Sequence, residues 1–116
     1  MRRRTFVWLR LSDTGAVEVL KKSDVLLQRA ERARIQFLVI EIQATWALIG
    51  LAEVEQQIGN QEEATRSRRH AEQGYATIVR FLNDAKHMPR MPRAEFLRMR
   101  AETRRIRKAL DDLSGT

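Results

Sequence analysis

The chain contains no cysteine. That excludes a disulfide, a thiolate metal site and a cysteine nucleophile. It has two histidines, His70 and His87, which cannot close a zinc site without several carboxylates joining them. It has two prolines, Pro89 and Pro92, so the stretch from Val25 to Ile58 carries no proline to break a helix interior, and one glycine, Gly50. The glycines at positions 50, 59 and 74 are isolated, and none belongs to a phosphate-binding loop. A long uninterrupted apolar run is also missing. The most apolar stretch, Ile35 to Val54, carries Gln36, Glu41, Gln43 and Glu53, and reads as a buried helix rather than a membrane span.

What remains is a chain of 116 residues, the size of one domain. Hydrophobic residues make up 43%, enough for one core, and charged residues 32%. The net charge is +7, carried mainly by arginine over lysine, 18 to 4. Such a balance suits an anionic partner, either nucleic acid or a membrane surface. It equally suits a GC-rich coding bias, since both signs are interspersed along most of the chain. Arg3-Arg4-Thr5-Phe6 has the look of a twin-arginine export core, but the apolar run after it ends at Arg10 and no small-residue cleavage site follows. Export is therefore not expected, and cytoplasmic residence is the default.

Along the chain, residues 1–22 read as a basic tail or a short hairpin. Thr5 to Leu11 and Ala16 to Leu20 have strand-like composition, with Ser12-Asp13-Thr14-Gly15 as turn chemistry between them. An early helix from about Ala16 competes with that reading. Residues 23–116 are expected to form a helical domain. Ser23 or Asp24 is a suitable N-cap. Beyond it, Leu26, Ala30, Ala33, Phe37, Ile40, Ala44, Ala47, Leu51, Val54 and Ile58 recur in unbroken 3–4 spacing, the mark of a long helix with a packed seam. A second apolar face carries Ile35, Leu38, Val39, Ile42, Trp46 and Ile49, so the middle of this helix needs two neighbours.

Gly59-Asn60 is a helix stop followed by a cap, with Glu62 and Glu63 in the next first turn. The second helix has the seam Ala64, Arg68, Ala71, Tyr75, Ile78, Leu82 and Ala85. Folding at Gly59-Asn60 pairs positions whose numbers add to about 119, so that Leu51 meets Arg68, Ala47 meets Ala71 and Ala44 meets Tyr75. Pro89 and Pro92 end this hairpin, and Pro92 suits the first turn of a third helix. That helix has the seam Phe96, Met99, Thr103, Ile106, Leu110 and Leu113. The expected fold is all-α, a long antiparallel helical hairpin completed to a three-helix bundle by a basic C-terminal helix.

Counted from the turn glycine, Leu48, Leu51, Ala52, Gly59, Ala64 and Ala71 fall where a tetratricopeptide unit has its large, large, small, Gly, Ala and Ala residues. The hairpin thus resembles a single tetratricopeptide unit over about 30 residues, whereas solenoids of that kind need about three units. Glu55 and Arg68 stand where the motif has large or aromatic residues, and either pair across the hairpin or turn outward to solvent. The resemblance implies a non-catalytic scaffold for peptides or proteins.

No catalytic, cofactor-binding or metal-binding constellation is legible. No Glu lies three residues before a His, the spacing used by di-metal bundles, and Glu41 is expected to reach solvent or an arginine such as Arg80. The outlying feature is the third helix. Residues 87–108 hold eight basic residues against Glu95 and Glu102. Arg93, Arg98, Arg100, Arg104, Arg105, Arg107 and Lys108 are the candidates for an anionic partner, with Arg93, Arg100, Arg104, Arg107 and Lys108 spread over one arc opposite Met99 and Ile106. The expected function is a non-enzymatic protein–protein interaction module, with a nucleic-acid-binding accessory protein as the alternative. The partner class is protein. A homodimer is open too, because the long first-helix seam suits pairing between chains as well as within one.

Overall fold

The computed structural model of the chain describes residues 2–84 and 91–115, with side chains from Ala16 onward. The described residues form three α-helices and no strand: α1 (Arg2–Gln57), α2 (Gln61–Asn83) and α3 (Arg93–Ser114). The all-α, three-helix class read from the sequence is the class observed. Two compact units divide the chain, Met1–Ala33 and Arg34–Thr116. Ala85 and the segment around His87, Pro89 and Arg90 lie outside the described residues.

The first unit corrects the expectation of a short hairpin in residues 1–22. Helical backbone begins at Arg2 and runs through Ser12-Asp13-Thr14-Gly15 without a turn. A lone two-stranded hairpin is marginal in water, while a helix satisfies each interior N–H and C=O within its own segment. Every side chain from Ala16 to Arg29 is exposed.

In the second unit the remainder of α1 packs with α2 and α3 around one core. α3 buries Met99, Thr103, Ile106, Leu110 and Leu113, the expected seam, with Phe96 half-buried at its start. α2 buries Ala64, Ser67, Ala71, Ile78 and Leu82. Ser67 replaces Arg68 as the inward residue, and Arg68 and Tyr75 are half-buried.

α1 is the main correction. Its expected seam faces away from the core: Ile40, Ala44, Ala47, Leu51, Val54 and Ile58 are exposed. Among the described side chains of α1, the buried ones are Leu38, Ile42, Thr45, Ile49, Ala52 and Glu55. This set also has 3–4 spacing, one helical face round from the expected seam. The axial register survives the rotation. Phe37 meets Phe81 with ring centroids 5.3 Å apart, Thr45 meets Gly74, and Glu55 meets Ser67, all within about three residues of the expected pairing. As one number of each pair rises the other falls, so α1 and α2 run antiparallel.

Two polar residues explain why the true face is hard to read. Thr45 is 1% exposed, and its Oγ1 donates to the main-chain carbonyl of Glu41 at 2.7 Å. Glu55 is 7% exposed; its Oε1 accepts from Ser67 Oγ at 2.7 Å, while its Oε2 is buried without a hydrogen-bond partner. A buried polar group is tolerated when it is hydrogen-bonded, as Thr45 Oγ1 and Glu55 Oε1 are. Here it interrupts the apolar pattern without interrupting the core. Of the two readings open for Glu55 and Arg68, neither describes Glu55, which turns inward and pairs with Ser67.

The turn behaves as expected. Gly59 has φ +82°, a left-handed conformation that favours glycine. Asn60 N–H donates to Glu55 O at 2.8 Å and Gly59 N–H to Gln56 O at 3.1 Å, the paired bonds of a Schellman cap. Asn60 Oδ1 accepts from Glu63 N–H at 3.4 Å, which starts α2.

Candidate interaction surfaces

Two surfaces emerge from this packing. The first is the bare face of α1. At 100° per residue its centre lies roughly 150° from the centre of the buried face. Ile40 is 62% exposed, Leu51 50%, Val54 52% and Ile58 72%. Ala44 and Ala47 are exposed between them, and Phe37 stands at one edge against Phe81. Single exposed apolar residues are ordinary on protein surfaces. An aligned set on one helix face is less common and forms a continuous apolar stripe.

One border of this stripe is polar and uncharged, the other mixed. Gln36, Gln43 and Gln57 lie along one side with Gly50, and all three glutamines are exposed. Half-buried Arg34, Glu41 and Leu48 lie along the other, which leads into the core at Glu55. Around Gly50 an added Cβ would meet nothing within 4 Å, so that border is open. Glu41 is half-buried and lends the core its carbonyl rather than a free carboxylate.

The second surface is the outer face of α3. Arg93, Arg98, Arg100, Arg104, Arg105 and Lys108 are exposed there, but several of the expected ligand-binding charges already have partners within the chain. Arg107 is turned toward α2. It bonds Glu72 at 2.8 and 2.9 Å and Asp111 at 2.8 and 3.0 Å, and its guanidinium lies 4.9 Å from the Tyr75 ring centroid. The bidentate bond to Arg107 holds the Glu72 carboxyl below its ordinary range, and the same bond raises Arg107. Arg105 pairs with Glu102 at 2.7 Å, and Arg98 reaches Glu95 at 3.9 Å. Arg100 donates to Asn83 Oδ1 at 3.2 Å and covers the Phe96 ring. Arg93, Arg104 and Lys108 complete the outer face as exposed cations. The arc of five expected from helical spacing is therefore divided, with Arg107 serving the α2–α3 contact.

Between α1 and α3 a groove of about 330 Å³ is floored by Ile35, Val39, Ile42 and Met99 and rimmed by Gln43, Glu95, Arg98 and Glu102. Trp46 Nε1 donates to Glu102 Oε2 at 3.0 Å, which ties α1 to α3 beside this groove. His70 is exposed on α2. His87 lies outside the described residues.

By length and composition alone, α1 includes a stretch within Ala16–Gln57 apolar enough to cross a membrane. The core helix of a water-soluble protein passes the same test.

Neither a family model, nor a curated protein, nor a solved structure matches this chain.

Proposed function

We propose that this chain is a non-enzymatic helical interaction module, and that the bare stripe of α1 is the surface that receives its protein partner. The observation that carries the reading is the exposure of Ile40, Leu51, Val54 and Ile58 along one face of a helix whose opposite face is fully engaged. A helix that is apolar on two faces requires cover on both. α2 and α3 supply cover on one side only. The tetratricopeptide-like spacing around Gly59 supports the same class of function, a scaffold without chemistry, in a cytoplasmic setting.

A photo-reactive residue at position 51 tests this in cells, with position 73 on α2, also exposed, as the control. Protein adducts at 51 and none at 73 are expected. Absence of any protein adduct at 51 defeats the reading.

The alternative is nucleic acid held by α3. Arg93, Arg98, Arg100, Arg104, Arg105 and Lys108 remain exposed and favour it, but Arg107 is committed to Glu72. Phosphate binding of this kind falls steeply with salt. Retention on mixed nucleic acid that is lost in Arg100→Glu/Arg104→Glu, with the fold intact, would replace the first reading.

A further inference from the structure

Beyond that reading, and on the other unit of the chain, we propose that residues 16–33 of α1 lie along an anionic lipid surface. The helix there has nothing to rest on. Every side chain from Ala16 to Arg29 is exposed, among them Val19 at 62%, Leu20 at 65%, Leu26 at 62% and Leu27 at 41%. An uncovered helix of this length is marginal in water, because most helical stability comes from packing an amphipathic face. Ala16, Val19, Leu20, Leu26, Leu27 and Ala30 fall within an arc of about 120° at 100° per residue. Ser23 is the one polar member of that arc. Such a width is that of the apolar face of a surface helix.

Charge selects the lipid. Lys22 and Arg29 stand along the border of the arc beside Leu26, and with Lys21 and Val25 they surround one open depression. Among the described residues these three cations are free of ion pairs. Long basic side chains at such a border lay their stems on apolar surface and hold their charges at headgroup level. The opposite border carries Asp24 and Glu31, so the helix rolls toward its basic side. Across residues 1–33 eight Arg or Lys stand against four Asp or Glu, an excess that an anionic leaflet attracts within a Debye length. Apolar burial and charge are two signals, the number that stable surface anchoring takes.

Other arrangements fit this face less well. Lys21, Lys22, Asp24, Arg29 and Arg32 make the segment too charged to span a bilayer. Read as a coiled-coil repeat, the arc puts Ala16, Ser23 and Ala30 at every second seam position, a weak seam for a second copy. Antiparallel pairing would also set the basic border against itself, with Lys22 near Arg29. Parallel pairing would set that border against Leu20 and Leu27, which offer no acid. A nucleic-acid strand would stack its bases on aromatic side chains, and residues 16–33 contain none.

Co-flotation with phosphatidylcholine vesicles, with and without phosphatidylglycerol at about one-third of the lipid, tests the proposal. The wild type is expected to bind the anionic vesicles roughly tenfold or more tighter than the neutral ones, and less tightly as salt rises. Leu20→Glu/Leu27→Glu and Lys21→Glu/Lys22→Glu/Arg29→Glu are each expected to lose that binding. All five positions are exposed, so the thermal melt should stay unchanged. Arg100→Glu/Arg104→Glu on α3 is expected to float as the wild type does. The chain has no cysteine, so an environment-sensitive fluorophore can be placed at a single one. At Leu27→Cys it is expected to brighten and shift to the blue on anionic vesicles. At Val25→Cys, about 160° away round the helix, it should stay near its aqueous value.

Equal changes at positions 25 and 27 signal a spanning helix and overturn the proposal. So does vesicle binding that survives both α1 variants, or that is lost in Arg100→Glu/Arg104→Glu, which moves the lipid contact to α3. A wild type that fails to float with anionic vesicles overturns it as well. If that protein instead doubles its mass in light scattering, and Leu20→Glu/Leu27→Glu does not, a second copy is the occupant. Adducts at position 51 test the protein-interaction reading separately, so either can fail alone.

Discussion

Individual residues in this fold owe their roles to what stands opposite them. Gly74 sits in the interior of α2, where glycine costs about 1 kcal/mol relative to alanine. A Cβ at that position would run into Thr45 Oγ1 on α1, so the glycine is what lets the two helices close up. Gly50 is the opposite case, since a Cβ there meets nothing within 4 Å. Two alanine substitutions in helices should therefore have opposite signs. Gly74→Ala is expected to destabilise by about 1–3 kcal/mol through overpacking, and Gly50→Ala to stabilise by about 0.5–1 kcal/mol. Thr45→Ala should restore much of the loss in Gly74→Ala, because the clashing hydroxyl is gone and the nearest remaining atom, the Thr45 Cβ, lies at 3.5 Å. Chemical denaturation of the four variants measures all three effects. In the sequence Gly50 and Gly74 look alike, and nothing local distinguishes them.

At the scale of elements, α1 is the one whose orientation had to be discovered. Its apolar residues form two faces, and the longer and more regular of them is the one left outside. The inner face is wider because it meets two helices: Thr45 and Glu55 contact α2, and Trp46 and Gln56 bond α3. It also holds the bulkier set, with Leu38, Ile42, Ile49 and Trp46 against the alanines of the bare stripe. Positions 49 and 51 give the direct test. Ile49 is 2% exposed and Leu51 50%. Ile49→Ala should cost about 2–5 kcal/mol, as core truncations do. Leu51→Ala should stay within about 0.5 kcal/mol under conditions where the protein is monomeric. A larger loss at Leu51 than at Ile49 in urea melts would mean that α1 is turned the other way.

At the scale of the whole molecule, acidity is a probe of how α2 is held to α3. The Glu72 carboxyl is held below the ordinary glutamate value of 4.5, chiefly by its bond to Arg107. A depressed acid stabilises the fold above its ordinary pKa, and that contribution is lost as pH falls through the folded value. Wild type should therefore exceed Glu72→Gln in stability at neutral pH. The two should converge as pH drops below about 4.5. Both side chains are about a third exposed, so solvent screening keeps the gap under about 1 kcal/mol. Thermal melts from pH 7 to pH 3 follow the convergence.

Much of this architecture is legible from the chain alone. Apolar spacing, the Gly59-Asn60 stop and Pro92 define α2 and α3 and their inward seams, because helix ends and amphipathic faces are local properties. The antiparallel register of α1 and α2 is legible for the same reason, since a short turn leaves little freedom in how two helices pair. Local sequence does not say which of two apolar faces a helix turns inward, which of two glycines sits at a close approach, or which arginine of a basic helix is spent on a neighbour. Each of those depends on groups distant in sequence, Gly74 for Thr45, Ser67 for Glu55 and Glu72 for Arg107. Only the packed tertiary structure brings them together, since burial and charge pairing are energies of contact and belong to no single segment.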